Sequence, residues 1–227
     1  MIDPDRTADV LCREVLAGPV DVLVLQEADG ETPPHPGILD IAQIEARSGL
    51  TYLHGDRAAR WGAESHGFLG VILMAAPRVE LEALTLLDLP GKCHRGAVIA
   101  DIRKEGYPLS VVGTHLSLSQ ILRAAQMRTL GQHLFRREAR PTVLCGDLNE
   151  WRPWGGLAFS RNMLGADFRG PTLRTFPVRR PLLPLDRVLA AGGARVVGAR
   201  VLDGEGIRLA SDHRPLIAEI AVGAPDP

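Results

Sequence analysis

The sequence has few of the residues that mark several classes of protein. It contains 3 cysteines in 227 residues, Cys12, Cys93 and Cys145, too few and too scattered for a disulfide framework or a zinc site. We interpret them as small core residues or bystanders. Aromatic residues make up 4% of the chain and the formal net charge is −1, which disfavours a processive nuclease with a long footprint on a polyanion.

Long apolar runs are also missing. No run approaches the roughly 18 residues that a membrane-spanning helix needs. Residues 1–6 are acidic where a secretory signal is basic, and no apolar segment follows them. We therefore predict cytoplasmic residence, no stable membrane insertion and no obligate protein partner. The length fits a single domain over residues 1–227.

The clearest features present are apolar strands that end in polar side chains. Aliphatic residues favour a buried strand, and a following glycine lets the backbone turn sharply. Polar groups at the strand ends then project together, as catalytic groups commonly do. The segments are 20–26 before Glu27, 109–114 before His115, and 142–146 before Asp147 and Asn149, with Ser211-Asp212-His213 as a further polar motif.

Hydrophobic periodicity predicts helices at 6–16, 40–48 and 117–138, and a short helix near 157–163. The 117–138 segment has the pattern of a surface helix, with Arg123 and Arg128 among its polar positions. Strands are predicted before Glu27, at 50–54, 67–74, 79–87, 96–102 and 109–113, before Asp147, and at 185–190, 196–202 and 215–222. The proline-containing segments 30–37 and 171–184 are predicted loops. This order favours an α+β or layered α/β fold.

The motifs LQE (25–27), GTHLS (113–117), CGDLNEW (145–151) and SDH (211–213), in this order, resemble the endonuclease/exonuclease/phosphatase superfamily. Its members include deoxyribonuclease I-like nucleases, abasic-site endonucleases, neutral sphingomyelinases and inositol polyphosphate 5-phosphatases. Each motif alone is weak, and the specificity lies in their joint presence and order. The resemblance implies a deoxyribonuclease I-like four-layer sandwich, in which two mostly antiparallel sheets are flanked by helices.

The resemblance also implies a metal-dependent phosphodiester hydrolase. Glu27 and Asp212 would bind Mg²⁺ or Mn²⁺, since such ions take oxygen ligands. Asp147 would orient or deprotonate the attacking water, and Asn149 would hydrogen-bond the phosphoryl oxygens. His213 would contact the scissile phosphate as a charged donor or as a base. The resemblance does not determine whether Asp147 or His213 acts as the base.

Further residues complete the implied site. Asp186 would hydrogen-bond the catalytic imidazole and fix its tautomer, and His115 would supply a second phosphate contact. Arg95 and Arg187 are candidate substrate contacts. The basic segment to which Arg187 belongs has two interpretations of about equal weight, a solvated loop and a phosphate contact. Its arginines are Arg169, Arg174, Arg179, Arg180 and Arg187.

Two departures from the family pattern stand out. Family members normally begin with a strand ending in an Asn of the metal and phosphate network, and this sequence starts at the helix that follows it. We expect that Met1 is an internal start, so that DNA upstream in frame would encode an apolar strand ending in Asn. In addition, the family often has Gly-Asn before the strand at 71–74, where this chain has Gly67-Phe68-Leu69-Gly70.

The leading hypothesis is a phosphodiesterase acting on a nucleic acid or another phosphate ester. One alternative keeps the site and changes the substrate to a phospholipid, because the loop 179–185 is apolar and flanked by arginines. Its five apolar residues give little anchorage by themselves. The other alternative is a pseudoenzyme that binds a phosphorylated partner. We expect Trp61, Trp151 and Trp154 to be packing or rim residues rather than stacking platforms for bases.

Overall fold

The computed structural model describes residues 4–91 and 95–223, so Cys93 and the first three residues lie outside the description. The helices are α1 (Pro4–Val10), continued by a π-helical turn (Leu11–Val15), α2 (Ile41–Ser48), α3 (Gln120–Phe135), α4 (Arg161–Leu164) and α5 (Glu205–Ala210). The strands are β1 (Val22–Leu25), β2 (Thr51–Tyr52), β3 (Ile72–Ala75), β4 (Glu80–Leu89), β5 (Arg95–Lys104), β6 (Tyr107–His115), β7 (Thr142–Asp147), β8 (Asp186–Ala191), β9 (Ala194–Val201) and β10 (Leu216–Val222).

The central element is a five-stranded sheet in the order β4-β5-β6-β7-β8. Its pairs are antiparallel except β6–β7, which is parallel and is connected through α3. Successive residues of a strand point to opposite faces. Val112 and Leu144 accordingly pack with Leu130 of α3, whereas Val111 and Val143 pack on the other side. Both faces are covered, so the middle of each central strand is almost continuously apolar.

The other face of this sheet is covered by a second layer of strands. In this layer β1-β3-β2 form one sheet and β10-β9 form another. Val24 of β1 lies against Gly113 so closely that an added Cβ would overlap it. Ile220 of β10 packs with Val143 and Ala190. Among the described residues, β1 and β10 are edge strands that each pair on one side only.

Helices form the two outer layers. α3 and α4 cover one side of the five-stranded sheet, while α1 and α2 cover the outside of the second layer, where Ala8, Leu11 and Ile44 share a core with Leu23. Helix α5 packs on α1 through Ile207 and Val10. The order helix, sheet, sheet, helix confirms the predicted four-layer sandwich. The second layer is two sheets rather than one, which the sequence did not predict.

Most predicted elements are confirmed, with two kinds of error. The strands predicted at 50–54 and 67–74 are shorter, at Thr51–Tyr52 and Ile72–Ala75. The second begins later because the Asp29 carboxylate ties residues 66–70 into a loop by accepting the backbone N–H groups of His66, Gly67 and Gly70. Helix α5 was not predicted, since glycines at 204 and 206 lower helix propensity. Within the two described ranges we find no helix with the length and hydropathy needed to cross a bilayer.

Candidate active site

The end of the five-stranded sheet aligns three of the predicted site residues. His115 stands opposite Asp147 in the parallel pair β6–β7, and Asp147 stands opposite Asp186 in the antiparallel pair β7–β8. Neighbouring strands lie about 4.8 Å apart, so residues in register form a row of adjacent side chains. The sheet therefore brings one imidazole and two carboxylates together at a single edge.

The turn after β7 has a backbone shape that its sequence requires. Gly146 has φ +134°, and a Cβ at this position would overlap the carbonyl oxygen of Thr114. Asn149 has φ +50°, a conformation that Asn tolerates better than most residues. Its backbone N–H donates to Asp147 Oδ1 at 2.9 Å, and its side-chain amide donates to the carbonyl of Leu116 at 2.9 Å. The turn thus holds Asp147 and Asn149 in a defined orientation.

Asn149 also donates from Nδ2 to Asp147 Oδ2 at 3.3 Å. An amide nitrogen has two N–H groups, and both are then engaged within the protein. The expected hydrogen bond from Asn149 to a phosphoryl oxygen would have to replace one of them. The geometry shown is that of a residue orienting the Asp147 carboxylate.

Asp147 is buried, and its environment favours the charged form. Burial by itself raises the pKa of Asp147, but the His115 imidazole, whose Nε2 lies 3.4 Å from Asp147 Oδ2, counteracts it. The field of His213 and the Asn149 N–H act in the same direction, and the pKa lies below its usual value. Asp147 is therefore ionised at neutral pH and presents an acceptor to whatever enters the site.

His213 is the second imidazole of the site, and its Nδ1 lies 2.8 Å from Asp186 Oδ2. Burial lowers the pKa of His213, but the hydrogen bond to Asp186 and the charges of Asp186, Asp147 and Asp212 outweigh it and raise the pKa to about 9. The ring centroid of Phe176 lies 4.8 Å from that of His213 and limits its tilt. At neutral pH this imidazole is protonated, so both ring nitrogens have an N–H.

The segment that contains Asp212 and His213 is anchored by the loop before β8. The N–H of Val178 donates to the Asp212 carbonyl at 2.7 Å, and the N–H of Arg214 donates to the Thr175 carbonyl at 2.9 Å. The Arg214 guanidinium closes the contact with a 2.7 Å bond to the Val178 carbonyl. Sequence reasoning identified the proline-containing loop but missed Thr175, Val178 and Arg214 as supports, because backbone pairing over this distance leaves no local pattern.

The predicted metal ligands, Glu27 and Asp212, are both exposed. Glu27 follows β1 with φ +58° and lies within electrostatic range of His115 and His213, while Asp212 lies within electrostatic range of His213. Across the two described ranges, no group of three or more His, Cys, Asp or Glu side chains is arranged to hold a metal. Two carboxylates, with the remaining positions left to water and substrate, fit Mg²⁺ better than they fit a softer ion.

The two candidate substrate arginines have different environments. Arg95 lies at the site, with Nη1 3.2 Å from His115 Nδ1. Arg187 is 2% exposed, and it donates to the carbonyl of Pro184 and the hydroxyl of Thr172 at 2.7 Å each, and to the carbonyl of Arg152 at 2.9 Å. Direct contact with a substrate does not fit that burial. The remaining arginines of the basic segment, Arg169, Arg174, Arg179 and Arg180, are exposed.

A buried ion pair beneath the site was missed by sequence reasoning. Glu150 is 0% exposed and Arg123 2%, and Arg123 Nη2 lies 3.3 Å from Glu150 Oε2. Arg123 Nη1 also donates to the Leu118 carbonyl at 2.6 Å. Our interpretation of Arg123 as a polar surface position of α3 was wrong, because the helix turns this side chain toward the loops. The pair joins the loop after His115 to the loop after Asn149.

The sequence model of the Endonuclease/Exonuclease/phosphatase family matches residues 3–213. The chain belongs to this family. Family members are generally hydrolases that act on phosphoester bonds and typically use divalent metals. Membership supports a phosphoesterase- or nuclease-type function, and the recognition made from the sequence motifs is confirmed.

Similar proteins agree with this assignment. The chain is 33% identical to the uncharacterized protein YbhP of Escherichia coli (strain K12) over 121 residues, which are 51% of this chain and 47% of YbhP. The match thus spans about half the length of that curated relative. The solved endonuclease/exonuclease/phosphatase from Bacteroides vulgatus has 15% identity and a TM-score of 0.75, covering 98% of this chain and 96% of its own.

Two further similar structures contain a bound ligand. D. rerio TDP2 complexed with a single-strand DNA product has 16% identity and a TM-score of 0.68, covering 96% of this chain and 92% of its own. The human Nocturnin catalytic domain with a bound sulfate anion has 20% identity and a TM-score of 0.67, covering 95% and 86%. At these identities the likeness shows the family fold and leaves the substrate open.

Proposed function

We propose that this family member hydrolyses a phosphodiester with the help of a divalent cation, Mg²⁺ or Mn²⁺. The in-register row of His115, Asp147 and Asp186, with His213 hydrogen-bonded to Asp186, supports the proposal most directly. Such hydrolysis needs an oriented water, donors for the charge on the phosphoryl oxygens, and assistance to the leaving group. The residues of this row and the side chains around it provide a candidate group for each of these three requirements.

Asp147 is the candidate for orienting the attacking water. Its carboxylate is held by Asn149 and His115 and stays ionised, so it accepts a hydrogen bond from water. A carboxylate whose pKa is lowered is a weak base. We therefore assign Asp147 to orientation of the water rather than to full removal of its proton, with Asn149 as the residue that positions the carboxylate.

His213 is the candidate for the charged donor. With Nδ1–H bonded to Asp186 and a pKa of about 9, the ring is an imidazolium at neutral pH. Its Nε2–H can donate to a phosphoryl oxygen or protonate the leaving oxygen as the P–O bond breaks. This assignment favours the donor role over the base role that sequence reasoning left open.

Glu27 and Asp212 are the proposed ligands of the cation. A divalent ion bound to them supplies Lewis-acid polarisation of a phosphoryl oxygen and neutralises its charge. The Asp212→Ala variant tests the assignment, because Asp212 is exposed and the substitution should leave the fold intact. We expect Mn²⁺ binding, measured by titration calorimetry, and metal-dependent turnover both to be lost. Unchanged binding and activity would contradict the assignment.

Hydrolysis of bis(p-nitrophenyl) phosphate tests the function as a whole. The protein and its His213→Ala variant are assayed with Mg²⁺, Mn²⁺ or EDTA. We expect metal-dependent turnover that falls about 10²–10⁴-fold in the variant, the usual range for a lost acid or base. His133→Ala is the matched control, since His133 lies near the end of α3 at the opposite end of the sheet. Absence of turnover with either metal would favour the binding protein over the hydrolase.

A second candidate substrate, a phospholipid, follows from the distribution of exposed apolar side chains. Several occur in the segments that follow His115 and Asn149, including the first turn of α3, and in the loop before Asp186. They are Leu118, Ile121, Trp151, Trp154, Leu157, Leu182 and Leu183. Exposed apolar groups of this kind, with Arg179 and Arg180 beside them, suit a surface that meets anionic lipid.

Competing substrates distinguish the two candidates. If the substrate is a phospholipid, Leu182→Asp should lower turnover on anionic vesicles and leave hydrolysis of bis(p-nitrophenyl) phosphate unchanged. Thr51→Asp is a control on an exposed strand residue. Equal turnover of vesicles by both variants, or preference for a single-stranded oligonucleotide, would remove the phospholipid from consideration.

A further inference from the structure

The first residue of β5 and the last residue of β6 form a contact that the proposed reaction has not used. Nη1 of Arg95 lies 3.2 Å from Nδ1 of His115, and the other ring nitrogen, Nε2, lies 3.4 Å from Asp147 Oδ2. His115 is 5% exposed, so both neighbours face a ring that is almost fully enclosed. The imidazole is held between a cation on one nitrogen and a carboxylate on the other.

The chemistry of the guanidinium decides where the ring proton lies. Arg remains protonated in proteins and has only N–H donors. Its hydrogen bond to Nδ1 therefore requires a lone pair on Nδ1. A proton on Nδ1 would leave two donors, the imidazole N–H and the guanidinium N–H, facing each other without an acceptor. The ring proton must then be on Nε2, which lies 3.4 Å from Asp147 Oδ2 and so has an acceptor nearby.

We infer that Arg95 is a positioning residue that holds His115 in the Nε2–H tautomer, with the protonated nitrogen on the side of the ring nearer Asp147. His213 has the complementary arrangement, because its Nδ1 faces the Asp186 carboxylate, an acceptor that requires Nδ1–H. Within one site, Arg95 requires an unprotonated Nδ1 on His115, and Asp186 requires a protonated Nδ1 on His213. If the arginine and the aspartate were exchanged, neither imidazole would have its present protonation at Nδ1.

The tautomer has a consequence that rests on the proposed function. With the proton on Nε2, His115 cannot accept a proton from water at that nitrogen. It can only donate, either to Asp147 or to a phosphoryl oxygen that approaches beside it. His115 thereby keeps Asp147 ionised and correctly turned, and Arg95 acts on the reaction through His115 rather than by contact with the substrate.

Nuclear magnetic resonance of the protein labelled with ¹⁵N at histidine tests the tautomer directly. Two-bond ¹H–¹⁵N correlations distinguish protonated from unprotonated ring nitrogens. At neutral pH we expect His115 to show an unprotonated Nδ1 and a protonated Nε2. Arg95→Met, which removes the donor, should change this pattern, and Arg95→Lys, which keeps a donor-only cation, should preserve it. Arg103→Met, at the far end of the same strand, is the matched control.

Turnover adds a second readout. We expect Arg95→Met to lower kcat about 10–100-fold with little change in KM, and Arg95→Lys to recover part of the loss. A protonated Nδ1 in the unaltered protein, or the same tautomer in Arg95→Met, would overturn the inference. If the unaltered protein shows the expected tautomer and no turnover of any phosphodiester, the proposed function fails while the assignment of Arg95 stands.

Discussion

At the scale of single residues, partners rather than residue types set the chemistry of the two imidazoles. His213 faces three carboxylates and has its pKa raised to about 9, whereas His115 lies between the Arg95 guanidinium and the Asp147 carboxylate. A histidine whose pKa is raised on folding stabilises the protein fully below its unfolded pKa of about 6.5, and this stability is lost as pH rises through about 9. The Asp186–His213 contact should therefore stabilise the fold more at pH 6 than at pH 10, where the hydrogen bond to a neutral ring remains but the charge interaction is lost.

The Asp186→Asn variant tests whether the stabilisation by this contact decreases as the pH rises. Measured in EDTA, the melting temperature of the variant should lie well below that of the unaltered protein at pH 6, and the difference should shrink by pH 10. Asp203→Asn is the control, because Asp203 pairs with Arg208, which stays charged throughout this range. A difference that is equal at the two pH values, or that grows toward pH 10, would show that the contact does not raise the pKa of His213.

At the scale of elements, α3 does more than cover the sheet. Arg123 extends from its first turns to Glu150 and to the Leu118 carbonyl, so the helix connects the loops after β6 and β7. Removing one partner of a buried ion pair costs about 3–5 kcal/mol when the other charge is left uncompensated. Glu150 Oε2 also lies 3.3 Å from Arg152 Nη1, so part of its charge stays compensated. We therefore expect Arg123→Met to lower the free energy of unfolding by about 3 kcal/mol, the lower end of that range, in urea denaturation.

Arg78→Met provides the comparison for α3. Arg78 and Asp21 form an exposed ion pair at 2.6 Å, and such pairs contribute about 0–1 kcal/mol. The same substitution should therefore be nearly neutral at position 78. Equal losses at the two positions would mean that Arg123 contributes no more than a surface arginine.

The helix α3 itself was predictable, whereas the burial of Arg123 was not. Apolar residues at helical spacing predicted a helix over 117–138, and the structure has it at Gln120–Phe135. An arginine on a helix is usually solvated, and only the position of Glu150 across the loop reverses that expectation. The same reason explains Arg187, whose partners are carbonyl groups of other loops.

At the scale of the whole molecule, the two layers of strands differ in how completely their strands are paired and covered by apolar side chains. Strands β5, β6 and β7 have strand partners on both sides and apolar cover on both faces. Within residues 4–91 and 95–223, β10 pairs with β9 only, and it is half-exposed along most of its length. Local opening is easiest where apolar contacts are few and the backbone hydrogen bonds are exposed to solvent. We expect amide hydrogen exchange to be slowest in β5–β7 and clearly faster in β10. Equal protection in β10 and β6 would contradict this ranking.

Some sequence predictions stay predictions at this scale. The single domain and cytoplasmic residence belong to this group. The family and the four-layer fold, by contrast, are confirmed.

The sequence by itself determined the features that contiguous residues specify. Strand ends at Glu27, His115 and Asp147, the glycine-dependent turn and the order of the motifs are all local, because strand periodicity and turn conformation depend on neighbouring residues. Tertiary structure alone decided which partner each side chain has. Arg95 meets His115 from 20 residues away and Asp186 meets His213 from 27, through strand register and loop packing that no local pattern encodes.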